Sequence, residues 1–257
     1  MNLQRNRTVV WGAVVVFLAA AAVGAGAEAP AASAPAIHDV RVSNVRDIYV
    51  TVSWLTDADA HGEVHYGATP ALGLVAQDDR GAGHMGQTHY VSLTGLAPAT
   101  TYYFDVVSDG TVDDNGGAHY QVTTGPTLSP PVSDAVWGLV YQADGTTPAE
   151  GAIVYIQVQD ADGAGSAGTS AFLSSLVSDT GYWFANLASA RTADLGSYFA
   201  YSASGDQVAL EAEGGAMGQA TLTVDTGGDS PAPDLHLTRP AAGRVSLPLA
   251  ASSWRAR

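Results

Sequence analysis

His61, Glu63 and His65 stand two residues apart in His-Gly-Glu-Val-His. On a β-strand alternate side chains share a face, so this spacing predicts that all three project together, with Val64 and Tyr66 on the apolar side. Two imidazoles and a carboxylate in one exposed row form a donor set for Zn²⁺ or Cu²⁺. Two Asp-rich stretches, 109–115 and 160–165, carry the oxygen donors that Ca²⁺ takes. Neither fits the EF-hand spacing: Thr111 occupies the third position of the first, Ala164 the fifth of the second, and no Glu closes the second. They are read as hairpin turns. No cofactor is expected, Zn²⁺ or Ca²⁺ at these places being the only options.

Aromatic residues supply a different chemistry. Tyr49 and Tyr103 are predicted to point outward because their neighbours Val50 and Tyr102 point inward, and adjacent Tyr182 and Trp183 must split between two faces. Exposed rings on a sheet stack on sugar rings or anchor a partner, so these four are the candidate ligand-binding residues.

Much other chemistry is excluded. The 257 residues hold no Cys, and all ten cations are Arg. Thiol nucleophiles, thiolate metal sites, disulfides and lysine Schiff bases are therefore impossible. Against ten Arg stand 25 acids, a net charge of −15. A phosphate backbone needs a basic face, so nucleic acid is not a partner. The charge is uneven, with four Arg and no acid in residues 239–257. That tail is expected to be either a disordered end or a strap for an acidic domain or anionic envelope surface.

The elements that position these residues are short. No stretch keeps helical periodicity for three turns; alternating segments separated by Gly, Asp, Asn and Pro recur instead, the pattern of an all-β sandwich or barrel. Ile48, Val50, Val52 and Trp54 alternate with Tyr49, Thr51 and Ser53, predicting a strand with one buried face. Residues 126–134 form a proline-stiffened linker between two blocks, 37–125 and 135–238. In the second block strands are predicted at 136–141, 152–158, 172–177, 181–187, 197–202, 207–212, 219–224 and 234–238. At the amino terminus, Arg5 and Arg7 precede an apolar run from Thr8 to Val23 and then Ala25-Gly26-Ala27, the layout of a secretory signal peptide over 1–27. Residues 28–36 read as a flexible spacer, and no transmembrane segment is expected once the signal is cleaved.

The first block resembles the fibronectin type III-like domain found at the amino terminus of purple acid phosphatases. The resemblance rests on Val52-Ser53-Trp54-Leu55-Thr56-Asp57, Gly62-Glu63-Val64-His65-Tyr66-Gly67, and His89-Tyr90-Val91-Ser92-Leu93-Thr94-Gly95-Leu96 followed by Pro98, Thr100 and Tyr102. It implies a core role for Trp54 and a tyrosine corner at Tyr102. The second block resembles carboxypeptidase regulatory-like domains, transthyretin-like sandwiches, through Val136-Trp137-Gly138-Leu139-Val140, residues 147–154 and the turn Ser178-Asp179-Thr180-Gly181 leading into 182–187. The internal Lys–Asn bond of related adhesin repeats cannot form without Lys.

Activity is not implied by either resemblance. A metallophosphatase needs Asp-x-His, then Gly-Asp, then Asn-His. Asp234-Leu235-His236, Gly205-Asp206 and Gly228-Asp229 match the first two in the wrong order, and no Asn-His pair exists. Residues 164–168 approach Gly-x-Ser-x-Gly but lack its first Gly. No catalytic residue is assigned. The expectation is a secreted, non-catalytic module of two tandem β-sandwiches that contacts polysaccharide or a cell-envelope protein. Self-association as a subunit of a surface fibre, and a non-catalytic relative or fragment of a secreted metallophosphoesterase, are the alternatives.

Overall fold

β-branched and aromatic residues in alternation give the first eight strands: β1 (Ile37–Ser43), β2 (Tyr49–Ala60), β3 (Gly62–Gly67), β4 (Leu74–Gln77), β5 (Gly86–Thr94), β6 (Thr101–Ser108), β7 (Thr111–Asp113) and β8 (Tyr120–Thr123). The computed structural model of the protein describes residues 33–239. The predicted signal peptide, residues 28–32 of the spacer and the tail beyond Arg239 lie outside the described residues. Strands β1, β2 and β5 form one antiparallel sheet; β4, β3 and β6 form the other, with β7 and β8 both paired to β6.

The two sheets close on Val50, Val52, Trp54, Val91 and Leu93 from one side and Val64, Phe104 and Val106 from the other, each fully buried. Burial of a Val or Leu side chain is worth about 1.5–3 kcal/mol, so this row accounts for most of the sandwich's cohesion. Trp54 keeps its indole N–H satisfied by donating to Ser108 Oγ at 2.9 Å. Tyr102 forms the expected corner: its hydroxyl oxygen accepts the Ala97 N–H at 2.9 Å. Asp109 and Gly110 both have positive φ, 45° and 80°, so the first Asp-rich stretch starts as a tight hairpin turn between β6 and β7.

A second sandwich follows: β9 (Ala135–Tyr141), β10 (Ile153–Gln159), β11 (Leu173–Leu176), β12 (Tyr182–Asn186), β13 (Gln207–Glu213), β14 (Gln219–Asp225) and β15 (Leu235–His236). One sheet runs β11-β10-β13-β14, and the other runs β12-β9-β15 with β15 parallel to β9. Their shared core holds Val136, Val140, Val154, Ile156, Trp183, Leu187, Leu210 and Leu237. The strand predicted at 197–202 is absent. Its backbone groups go to loop partners instead, Phe199 N to the Ala190 carbonyl, Ala200 N to Ser166 Oγ and Ser202 N to Asp206 Oδ2, which leaves no ladder to build.

The outer face of the β1-β2-β5 sheet corrects a second expectation. The alternation predicts one buried face for β2, yet Thr51 and Ser53 on the opposite face are fully buried as well, because the second sandwich covers them. Ser53 Oγ lies 2.8 Å from the Tyr155 hydroxyl, and Ser43 Oγ lies 2.7 Å from Ser174 Oγ. Asn44 treats Ser174 as a strand would: its Oδ1 accepts the Ser174 N–H at 3.0 Å and its Nδ2 donates to the Ser174 carbonyl at 3.1 Å. Thr88 donates to the Gly151 carbonyl at 2.7 Å. Between these polar contacts Tyr90 packs with Ile153 and Tyr155, flanked by Phe172 and Leu176.

Arginine seals the seam. Arg41 makes a bidentate pair with Glu211, at 2.8 and 2.9 Å, while its guanidinium sits 4.5 Å from the centre of the Tyr155 ring. Arg46 donates to Ser189 Oγ at 2.9 Å, and Arg191 to the Pro126 carbonyl at 2.8 Å. Arg80 is held by Asp78 and by the Thr88 carbonyl, and a Cβ added at Gly151 would lie 3.1 Å from its Nη1. All four arginines of residues 33–238 are thus spent where the sandwiches meet.

Two titratable groups, one buried and one partly buried, give this body opposed pH responses. His89 is fully buried and stacked on Trp54, with ring centres 4.9 Å apart and Nε2 3.0 Å from Thr56 Oγ1. Burial pushes its pKa down to about 4. The unfolded chain takes that proton near pH 6.5, so stability present above that pH is lost as the pH falls toward 4, by about 3 kcal/mol. Glu213 is the reverse case: burial, reinforced by the neighbouring Glu211 charge, lifts its carboxyl to about 7. Its contribution is complete below the ordinary carboxylate range and is lost as the pH rises through 7. Urea denaturation across pH 4–8 should therefore show His89→Leu flattening the acid limb and Glu213→Gln flattening the neutral one. A His89→Leu deficit that stays constant from pH 4 to 7 would rule out His89 as the acid-sensitive group.

Candidate functional site

Alternation along β9 puts Val136, Gly138 and Val140 into the core and leaves Ala135, Trp137, Leu139 and Tyr141 on the outer face. On β12 the buried residues are Trp183 and Ala185, while Tyr182 is 39% and Phe184 45% exposed. The register places Phe184 opposite Trp137 and Tyr182 opposite Leu139, and β15 sets His236 beside Tyr141. One sheet face therefore carries Trp137, Leu139, Tyr141, Tyr182, Phe184 and His236. Trp137 and Tyr182 have ring centres 5.8 Å apart, and Tyr141 and His236 stack at 5.7 Å. From Trp137 to Tyr141 the face runs about 13 Å along the strand.

Its border is anionic. Asp179 precedes β12, Asp234 precedes β15, and both are exposed. The 144–145 turn lies beside His236, a Cβ on Gly145 coming 3.7 Å from its Nδ1. There the Thr147 hydroxyl and the backbone N–H groups of Thr147 and Thr146 hold the Asp144 carboxyl down at about 2, so it stays ionised.

Phe184 also lines a groove of about 620 Å³ at the open flank of the second sandwich. The edge strands β11 and β12 supply Leu173, Ser175, Leu176 and Asn186, and the turn from β1 into β2 supplies Arg46, Asp47, Ile48 and Tyr49. Ile48 is 53% exposed. Tyr49 is braced rather than loose, its hydroxyl lying 2.7 Å from Ser92 Oγ and accepting from Thr51 Oγ1 at 3.1 Å.

The predicted site residues are thus dispersed. Tyr182 lies on the aromatic face and Tyr49 in the groove. Tyr103 is half-buried on β6, opposite Gly67 and Gln121 in the other sheet of the first sandwich, away from both. Trp183 is withdrawn as a ligand contact: it is 1% exposed in the second core, with Gly138 leaving room for its indole, since a Cβ there would come 3.1 Å from Nε1. Phe184, Trp137, Tyr141 and His236 were missed, although the same alternation that buries Trp183 exposes Phe184.

The His-x-Glu-x-His row does not converge. His61 sits in the turn before β3 with Nδ1 2.7 Å from Asp109 Oδ1, while Glu63 Oε1 meets His65 Nε2 at 2.8 Å and Glu63 Oε2 accepts from Gln77 at 2.8 Å. These pairings hold the Asp109 and Glu63 carboxyls below their usual range. Carboxylates converge elsewhere: among the described residues the ligand oxygens of Asp160, Asp162 and Asp206 lie within 4.8 Å of one another. Asp206 is buried and its oxygens accept the Ala161 and Ser202 N–H groups at 2.8 and 2.7 Å, so it organises the loop. Oxygen donors of this kind suit Ca²⁺ by type.

No protein-family model matches the sequence, and no curated protein matches it. Among solved structures the chain is similar to PhoD, at 11% identity and a TM-score of 0.29, over 40% of this chain and 21% of that one. It is also similar to the sensor domain of the anti-sigma factor RsgI4 of Pseudobacteroides cellulosolvens, at 15% identity and a TM-score of 0.27, over 39% of this chain and 99% of that one. A third similarity is to the FN1–FN3 domains of chicken CNTN1, at 12% identity and a TM-score of 0.25, over 78% and 65%. The chain spans about a fifth of the length of the PhoD structure. Among the described residues no helix is long and apolar enough to cross a membrane.

Adjacent residues on β12 should respond oppositely to truncation. Trp183→Ala empties the second core and is expected to cost about 3–5 kcal/mol in urea denaturation, whereas Tyr182→Ala should stay within about 1 kcal/mol of the parent. Equal losses for the two would contradict the assigned faces.

Proposed function

We propose that the chain is a secreted, non-catalytic binding module whose ligand is a polysaccharide held on the outer face of the β12-β9-β15 sheet. The observation that carries this reading is the row of solvent-facing rings, Trp137, Tyr182 and Phe184 with Tyr141 and His236 beyond them, on one rigid sheet. Ring faces stack on the apolar faces of sugars, and the aromatic pairs here are already ordered by one another. The flanking Asp234, His236 and Asn186 offer hydrogen-bonding groups at the sheet's margin.

Support for a non-catalytic role comes from the phosphatase-like fragments. Asp206 is committed to backbone N–H groups, and His236 stacks on Tyr141. Secretion is the function of the signal-like segment 1–27 in this reading. The second sandwich is read as carboxypeptidase regulatory-like, a reading supported by its four- and three-stranded sheets and by the Ser178–Gly181 turn, closed by Ser178 N donating to the Tyr182 carbonyl at 2.9 Å.

Residues 28–257 should be retained on an insoluble polysaccharide, and retention should persist in molar salt because stacking is not screened. The double variant Tyr182→Ala/Phe184→Ala should elute while keeping the parent melting temperature. Retention on cell envelope alone, abolished by salt, would instead assign binding to charge and reject the aromatic face.

A further inference from the structure

The aromatic face ends at Phe184, and the groove begins there. We infer that face and groove form one continuous track for an uncharged glycan chain, so that a long ligand touches both sandwiches. This rests on the polysaccharide reading above and adds to it the ligand's charge class and the path of the chain.

Three observations converge. Phe184 belongs to both surfaces, exposed on the sheet face and lining the groove. The far side of the groove repeats the chemistry of the face: Tyr49 presents a ring fixed by Ser92 and Thr51, Ile48 an exposed aliphatic surface, and Asn186, Ser175 and Asp47 add polar groups between them. Apolar platforms alternating with hydrogen-bonding side chains match the two kinds of surface that a sugar ring carries. Asp47, Ile48 and Tyr49 come from the first sandwich, Ser175 and Asn186 from the second beside Phe184, and the seam fixes the distance between the two sets.

The charge distribution selects the glycan. Arg41, Arg80 and Arg191 are held in the seam, and Arg46, within the groove, is engaged by Ser189 and stands next to Asp47. The border of the face carries Asp144, Asp179 and Asp234. A polyuronate or a sulfated chain would meet like charge along the border of the face, with the exposed Arg46, beside Asp47 in the groove, to offset it. A neutral chain meets no such cost.

Isothermal titration of residues 28–257 with ladders of gluco-, manno-, xylo- and chito-oligosaccharides, two to eight units long, with polygalacturonate as the anionic comparator, tests this. For the ladder that binds, affinity should rise about tenfold or more from the shortest member to the longest. Ile48→Ser and Tyr49→Ala should erase that rise and leave the shortest member unaffected, whereas Phe184→Ala should weaken all lengths. Ile48 is exposed, so its variant reports on the groove even if Tyr49→Ala perturbs folding. Affinity independent of length, with Ile48→Ser silent, would overturn the continuous track while leaving the face as the binding surface. Preference for polygalacturonate would overturn the charge selection. Failure of every ladder and of polygalacturonate would overturn both this inference and the polysaccharide reading beneath it.

Discussion

Everything the protein can present depends on the contact between Ser53 and Tyr155. A serine in the middle of β2 and a tyrosine in the middle of β10 are both removed from water, and each satisfies the other's hydroxyl. Leaving either unpaired in that interior would cost about 1–3 kcal/mol, so the two sheets must meet in one register. Asn44 on Ser174 and Thr88 on Gly151 impose the same requirement at two further points. Arg41 adds a bidentate anchor on Glu211 with the Tyr155 ring beneath it. The seam is thus specified by polar geometry and filled by apolar contact.

The chemistry left at the surface follows from what the seam consumes. Four arginines are a small supply for a body so rich in carboxylates, and the junction takes all of them. Among the described residues, acids, small polar residues and scattered aliphatic side chains such as Ile48 and Val112 face water, together with the aromatic face of the second sandwich. Placing Glu213 beside Glu211, with a single guanidinium between them, gives the seam a carboxyl that titrates near neutrality. Placing His89 behind Trp54 gives the first core a base that must stay neutral.

Much of this was legible in the sequence, and the limits have physical causes. Alternation in Val50–Trp54 and in Val136–Tyr141 identified strands and their core faces, and the resemblance to a fibronectin type III-like domain implied the corner that Tyr102 makes. Period-two patterning tells which residues share a face but not what covers the other face, so it predicts one buried face for β2 where Thr51 and Ser53 make a second. The same limit misassigned Trp183. Aromatic type alone favoured it, whereas Val140 and Gly138 on the paired strand required it to point inward and Phe184 outward. The His61–Glu63–His65 row failed because strand spacing assumes a strand, and His61 sits one residue before β3 begins, where the turn directs it to Asp109.

The seam is also chemically lopsided. The first sandwich brings Ser43, Asn44, Thr51, Ser53 and Thr88 with a single tyrosine, Tyr90; the second brings Ile153, Tyr155, Phe172 and Leu176 alongside its polar Ser174, Ser189 and Glu211, so most of the apolar surface is on its side. Translation makes the polar half first, and domains fold largely in the order they emerge. The early half can wait in water without exposing a sticky surface. The late half, whose unmatched face would invite aggregation, emerges next to a finished template. Reversing the order of the two halves in the gene would put the hazardous surface first.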